Sequence, residues 1–221
     1  MTVTAFYPDK DTESTSVDGM GISADNNQTW ATKRGEAGTT ANDSGDLMHV
    51  RTECNYNTPE WRNWSRVIVL FDISSLAGAT VSAVSLGVVS SGKDDDYTDG
   101  IAIVSSAPAS NTAIVGGDYD SLGTTRYATD ITIANINSDS ATYNVWTLNS
   151  TGIAAVDGAS GGIVKLGMRT TFDNDDNEPD PVSGHKSLLT IYSADESAAG
   201  EKRPTLTVTS IVAFTPRAIM F

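Results

Sequence analysis

The stretch Arg66-Val-Ile-Val-Leu-Phe-Asp72, followed by Ile73-Ser-Ser-Leu-Ala-Gly-Ala-Thr-Val-Ser-Ala-Val-Ser-Leu-Gly-Val88, constrains the fold of this chain more than any other. Alternation puts Val67, Val69 and Phe71 on one face of a first strand, and Val84, Leu86 and Val88 on one face of the next, with a short ordered connection between them. A period of two over both runs is what a sheet with a buried face requires, and such a pair is a building block of a β-sandwich. No comparably sharp catalytic constellation occurs elsewhere in the 221 residues.

The rest of the chain repeats this pattern. Short β-rich runs punctuated by Gly, Ser, Thr, Asn and Asp predict strands near 2–7, 28–32, 48–54, 66–72, 83–90, 101–106, 143–148, 163–172, 187–194 and 204–213. In the last of these, Leu206, Val208 and Ser210 alternate with Thr205, Thr207 and Thr209, as one buried face demands. Helical signals are scarce. The best short helix is the segment 149–157, where Asn149 or Ser150 can cap and Ile153, Ala154 and Val156 can face a core. The expectation is an all-β chain, a two-sheet antiparallel jelly-roll β-sandwich with one short helix and long polar loops, forming a single domain over 1–213. An apolar tail, 214–221, follows it and folds onto the sandwich or onto a neighbouring subunit, since Pro216 cannot continue a central strand.

Composition narrows the partners. Lys and Arg number 14 against 28 Asp and Glu, a formal charge of −14 that repels nucleic acid and suits a soluble, exposed body. No stretch approaches the roughly 18 apolar residues of a membrane span, and the opening residues carry neither a basic region nor an apolar run of signal-peptide length. Cys54 is the one cysteine, so no intrachain disulfide forms and the residue reads as a small buried hydrophobe. Sequons begin at Asn27, Asn42, Asn63 and Asn149, which a chain rich in Asn and Thr generates by chance.

Each candidate chemistry has a plainer competitor. Gly158-Ala-Ser-Gly-Gly162 matches the G-x-S-x-G nucleophile elbow, but its serine follows a helix and precedes a strand, the reverse of the elbow's order, and His49 and His185 sit in no supporting motif. No acid stands in an apolar setting that would fit it for glycoside hydrolysis, so a non-enzyme is expected. Calcium (Ca2+) is the most credible ligand: hard cations take six to eight oxygens, and Asp173, Asp175, Asp176, Glu178 and Asp180 supply them in one loop, with Asp94/Asp95/Asp96/Asp99 and Asp9/Asp11/Glu13/Asp18 as further clusters. The competing reading of each is a solvated acidic loop. Trp61 and Trp64, with Arg62 and Arg66 beside them, fall in what reads as a loop; they suit a subunit interface or a sugar-stacking platform, whereas Trp30 and Trp146 fall in strands and read as core. Phe214, Ile219, Met220 and Phe221 of the tail complete the expected interface.

Several segments taken in order resemble a jelly-roll family of phage-like and environmental genomes, similar to DNRLRE domains and to carbohydrate-binding-module sandwiches. They are Thr4-Ala-Phe-Tyr-Pro-Asp9 with Thr15-Ser-Val-Asp-Gly19, Gln28-Thr-Trp30, Arg66 to Val88, Ile103-Val-Ser-Ser-Ala-Pro-Ala-Ser-Asn-Thr112, Asp118-Tyr119, and Arg203-Pro-Thr-Leu-Thr-Val208 with Phe214-Thr-Pro216. The resemblance implies an eight-stranded, two-sheet body serving as a surface or virion module, without a catalytic centre. The expectation is a virion structural protein, a capsid decoration assembled in the host cytoplasm, partnered by the capsid lattice and by its own copies as a homo-oligomer, a trimer being the guess. The alternative is an extracellular carbohydrate-binding or adhesion module, calcium-stabilised, that takes a surface glycan.

Overall fold

The computed structural model of the protein describes residues 1–24, 27–196 and 202–212. Among them the strands are β1 (Thr2–Phe6), β2 (Asp18–Ser23), β3 (Thr40–Asn42), β4 (Leu47–Cys54), β5 (Trp61–Asp72), β6 (Ala79–Asp95), β7 (Gly100–Ser105), β8 (Ile131–Thr132), β9 (Tyr143–Thr147), β10 (Ile163–Thr170), β11 (Lys186–Tyr192) and β12 (Thr205–Val212). Three α-helices interrupt them, α1 (Trp30–Gly35), α2 (Ser150–Gly158) and α3 (Thr171–Asp175), beside short 3-10 turns. The strands pair antiparallel in the order β1-β12-β6-β11-β4-β5-β10-β7-β8, while β9 joins β6, β2 joins β5 and β3 joins β2. The chain is thus all-β in class, with a sheet that curls.

The curl is made by β6, which serves two neighbourhoods in succession. Its first half pairs with β12 on one side and β9 on the other, with Leu86 opposite both Leu206 and Trp146. Its second half pairs with β11, Lys93 opposite Leu189. Register shifts at Thr209/Ser210 and Thr190/Ile191 lie on the strands flanking it, where extra residues let a paired strand bend.

The expected faces of β5 hold, and the structure adds a second buried side. Val67, Val69 and Phe71 enter the main core with Val84, Leu86, Val88, Trp146 and Leu206. Ile68 and Leu70 point the other way and are covered by Val17, Ala102, Val104, Ile114 and Leu122. At roughly 1.5–3 kcal/mol per buried large aliphatic side chain, a strand buried on both faces is the anchor of the fold. On β12, Leu206, Val208 and Ser210 are buried and Thr205, Thr207 and Thr209 face outward, as alternation predicts.

Helix α2 forms where expected. The Asn149 side chain caps it, Oδ1 accepting from Gly152 N at 3.0 Å, and Asp157 at its far end accepts the Val81 amide at 2.7 Å, fastening the helix to β6. The strand expected over 28–32 is instead a single bridge from Gln28 to Trp61 followed by α1. Thr29 caps that helix and its Trp30 and Lys33, one turn apart, are both buried, so burial of one face overrides the local β propensity. The strand expected over 163–172 ends at Thr170, whose hydroxyl accepts the Asp173 amide at 3.4 Å and turns the chain into α3. Trp61 and Trp64 belong to an extended β5 rather than to a loop. Where one short helix is expected, the described residues form three α-helices.

Candidate functional site

Of the acids in the stretch after β10, Asp173 is drawn inward, while Asp175, Asp176, Glu178 and Asp180 stay exposed. Asp173 is 2 % exposed and accepts from two arginines: Arg66 Nε and Nη2 at 2.8 and 2.9 Å, and Arg169 Nε and Nη2 at 2.9 and 2.7 Å. Burial alone would raise its pKa, but the Arg66 guanidinium, then that of Arg169, hold it below the usual carboxylate range. Arg66 also donates to the carbonyls of Tyr119 and Arg34 at 2.9 and 2.8 Å and lies over the Tyr119 ring, 4.0 Å from its centroid. Tyr119 reaches this position because Gly21 on β2 has no side chain; a Cβ there would meet the Tyr119 backbone at 2.7 Å.

The neighbouring acids are claimed in the same way. Asp175 takes both terminal nitrogens of Arg126, at 2.7 and 2.8 Å. Asp176 accepts from Trp30 Nε1 at 3.1 Å and Glu178 from Trp61 Nε1 at 2.7 Å. Among the described residues no three His, Cys, Asp or Glu side chains are assembled to hold a metal, and Asp180 joins no such group. Within this loop, oxygens of Asp173, Asp175, Asp176 and Glu178 meet guanidinium or indole N–H groups. The second acidic run behaves likewise: Asp94 pairs with Lys186 at 3.0 Å, Asp95 accepts the Asp99 amide at 2.8 Å, and Asp99 accepts the amides of Gly100 and Thr171 at 2.7 and 3.0 Å. In the first, Asp9 caps its own loop by accepting the amides of Ser14 and Thr15 at 3.0 and 2.7 Å.

Trp61 and Trp64 are each 1 % exposed, so their rings offer no outward platform. With Trp30 they form a cluster of three edge-to-face contacts, at centroid distances of 4.8, 4.6 and 5.7 Å, closed by Cys54 and Tyr119. Arg62 beside them is partly exposed. Phe214, Ile219, Met220 and Phe221 lie outside the described residues. Ser160 of the elbow-like segment donates to Leu76 O at 2.6 Å, His49 faces Thr190 across β4 and β11, and His185 stacks edge-on to Tyr97, so each is engaged separately.

An opening on the surface lies elsewhere, on the outer face of β12, β6 and β9. A groove of about 220 Å³ is lined by Tyr7, Ser85, Gly87, Tyr143, Val145, Thr205 and Thr207. Cross-strand register explains the set: Thr207 sits opposite Ser85, Thr205 opposite Gly87, and Gly87 opposite Val145. The Tyr143 ring lies across Gly87, where a Cβ would approach its Cδ1 to 3.0 Å. Its hydroxyl donates to Arg203 O at 3.0 Å and receives Thr205 Oγ1 at 3.3 Å, while the Arg203 guanidinium covers the Tyr7 ring at 3.8 Å. Aromatic edges, hydroxyls and an exposed Val145 make a neutral lining that can take a polar ligand with apolar faces. Sequence reasoning placed the aromatic platform on Trp61 and Trp64 and missed this one; the alternating Thr205/Thr207/Thr209 row was the available signal. No protein-family model matches this chain, and a search of curated proteins finds no match.

Proposed function

We propose that this protein is a non-enzymatic structural protein of a phage-like particle surface, a capsid-decorating jelly roll of two layers that works as an oligomer. The observation that carries the reading is the uncovered margin of the sheet. Among the described residues β1 pairs with β12 alone, and Val3 on β1 and Ile211 on β12 are 65 % and 45 % exposed on adjacent outward rows. Natural edge strands are usually blunted by charge, proline or a covering element, and an apolar edge with free amides and carbonyls is a template for a further strand. A copy of the same chain or a lattice subunit is the occupant this reading assigns. The two-layer arrangement is supported by a core that joins Leu206 and Trp146 from one part of the curled sheet to Val67, Ile103 and Met168 from the other. Light-scattering mass of the purified chain tests the reading: an oligomer, a trimer in the simplest case, that falls to a monomer in Val3→Glu is expected, and a wild-type monomer at 100 μM would overturn it.

The Tyr7/Tyr143 groove favours a second reading, a carbohydrate-binding or adhesion module. Hydroxyl-lined aromatic surfaces present both hydrogen bonds and ring faces, the two demands of a sugar. Titration with a panel of oligosaccharides tests it, with binding that disappears in Tyr143→Ala as the supporting result.

A further inference from the structure

Asp18, the first residue of β2, is 1 % exposed. Its Oδ2 accepts the Ala194 amide at 3.0 Å, while Oδ1, equally buried, has no hydrogen-bond partner among the described residues. A buried carboxylate oxygen left in this state is costly enough that native proteins almost always give it a donor, a water or an ion. The residue after Ala194 repeats the arrangement: Asp195 Oδ1 accepts the Asp11 amide at 2.6 Å, and its Oδ2 is buried without a partner among the described residues. Each carboxylate therefore has one oxygen pinned by a backbone N–H and one left over.

The electrostatic surroundings of the pair are acidic. Burial raises the pKa of both, and neighbouring carboxylates add to it, Asp195 and Glu13 on Asp18, and Asp11, Asp46 and Asp43 on Asp195. This contrasts with Asp173, the buried acid of the loop after β10, which meets two arginines. A stray proton could neutralise Asp18, but it would leave the second orphaned oxygen on Asp195 unexplained. A divalent cation satisfies both. Two carboxylates completed by carbonyl, hydroxyl and water oxygens make an oxygen-only shell, the type that calcium takes with six to eight ligands and flexible geometry.

We propose that Asp18 and Asp195 are the carboxylate ligands of a calcium-class divalent cation that ties the start of β2 and the 9–16 loop to the segment following β11. The site is independent of the particle or glycan role and of the acidic loop after β10.

Calcium chloride against EGTA is the probe, on the full chain, read by thermal melting and by calorimetric titration. One saturable site is expected, with a rise in Tm of about 5 °C once calcium exceeds its Kd about a hundredfold. Asp18→Asn and Asp195→Asn should each weaken calcium binding at least tenfold while melting in EGTA close to the wild type; because Asp195 is only partly buried, its variant folds even where the Asp18 change does not. No calcium heat and no Tm shift in the wild-type protein would overturn the proposal, as would a calcium response retained in full by both variants.

Discussion

Arg66 and Asp173 form a two-pronged ion pair in the interior, Nε to Oδ2 at 2.8 Å and Nη2 to Oδ1 at 2.9 Å, with both side chains 2 % exposed. The pair joins the middle of β5 to α3, and Arg169 grips the same carboxylate from β10. Taking two charges from water is expensive, and the cost is offset here because the donors of Arg66 are spent on Asp173 and on the carbonyls of Tyr119 and Arg34.

Removing one partner leaves a buried, uncompensated charge. Asp173→Ala, which strands both Arg66 and Arg169, is expected to lower unfolding free energy by about 3–5 kcal/mol. Urea denaturation of variant and wild type measures it, and a loss under about 1 kcal/mol would show that water reaches the arginines.

Trp61 contributes through its ring and through Nε1, which donates to Glu178 at 2.7 Å. Trp61→Phe keeps much of the aromatic volume and deletes the donor, so a cost of roughly 1–3 kcal/mol is expected. Trp61→Ala also opens a cavity in the indole cluster and should cost about 3–5 kcal/mol. Equilibrium unfolding followed by intrinsic fluorescence separates the two.

The pH dependence follows from Asp18, whose carboxyl pKa is pushed up from 3.8 to about 8 by burial, with Asp195 and Glu13 adding to it. The folded state then holds a proton that the unfolded state releases, so in EGTA stability declines as pH climbs from about 4 to about 8 and levels off above that. Asp18→Asn should flatten this slope in melts taken across that range. An unchanged slope would assign the titration to another group.

Asn149 caps α2 through its side chain, accepting the Gly152 amide at 3.0 Å. Asn149→Ala is expected to cost about 1 kcal/mol, with Asn149→Ser nearly neutral. The comparison isolates the cap, because the serine variant retains an acceptor of short reach.

Period-two alternation located the strands that bury one face, and the cap at Asn149 located α2, since both signals are carried by residues close in sequence. Short strands such as β2 and β3 escaped notice because their glycines and polar residues owe their extended form to the partner strand. Trp30 was right as a core residue and wrong as a strand residue: its apolar bulk is a property of the side chain, while its helix depends on the Thr29 cap and the burial of Lys33 alongside it.

By itself the sequence determined an acidic, all-β chain anchored on 66–88, because side-chain alternation and net charge need no knowledge of distant contacts. The tertiary structure decided what the charges and aromatics do. It turned the acids after β10 into partners of Arg66, Arg126 and Trp61, sealed Trp61 and Trp64 inside, left Asp18 with an orphaned oxygen, and set Tyr7 beside Tyr143 on the outer face. Whether a carboxylate is solvated, paired or waiting for a cation depends on groups brought to it from 100 or more positions away, as Asp173 is to Arg66, and no local pattern encodes that meeting.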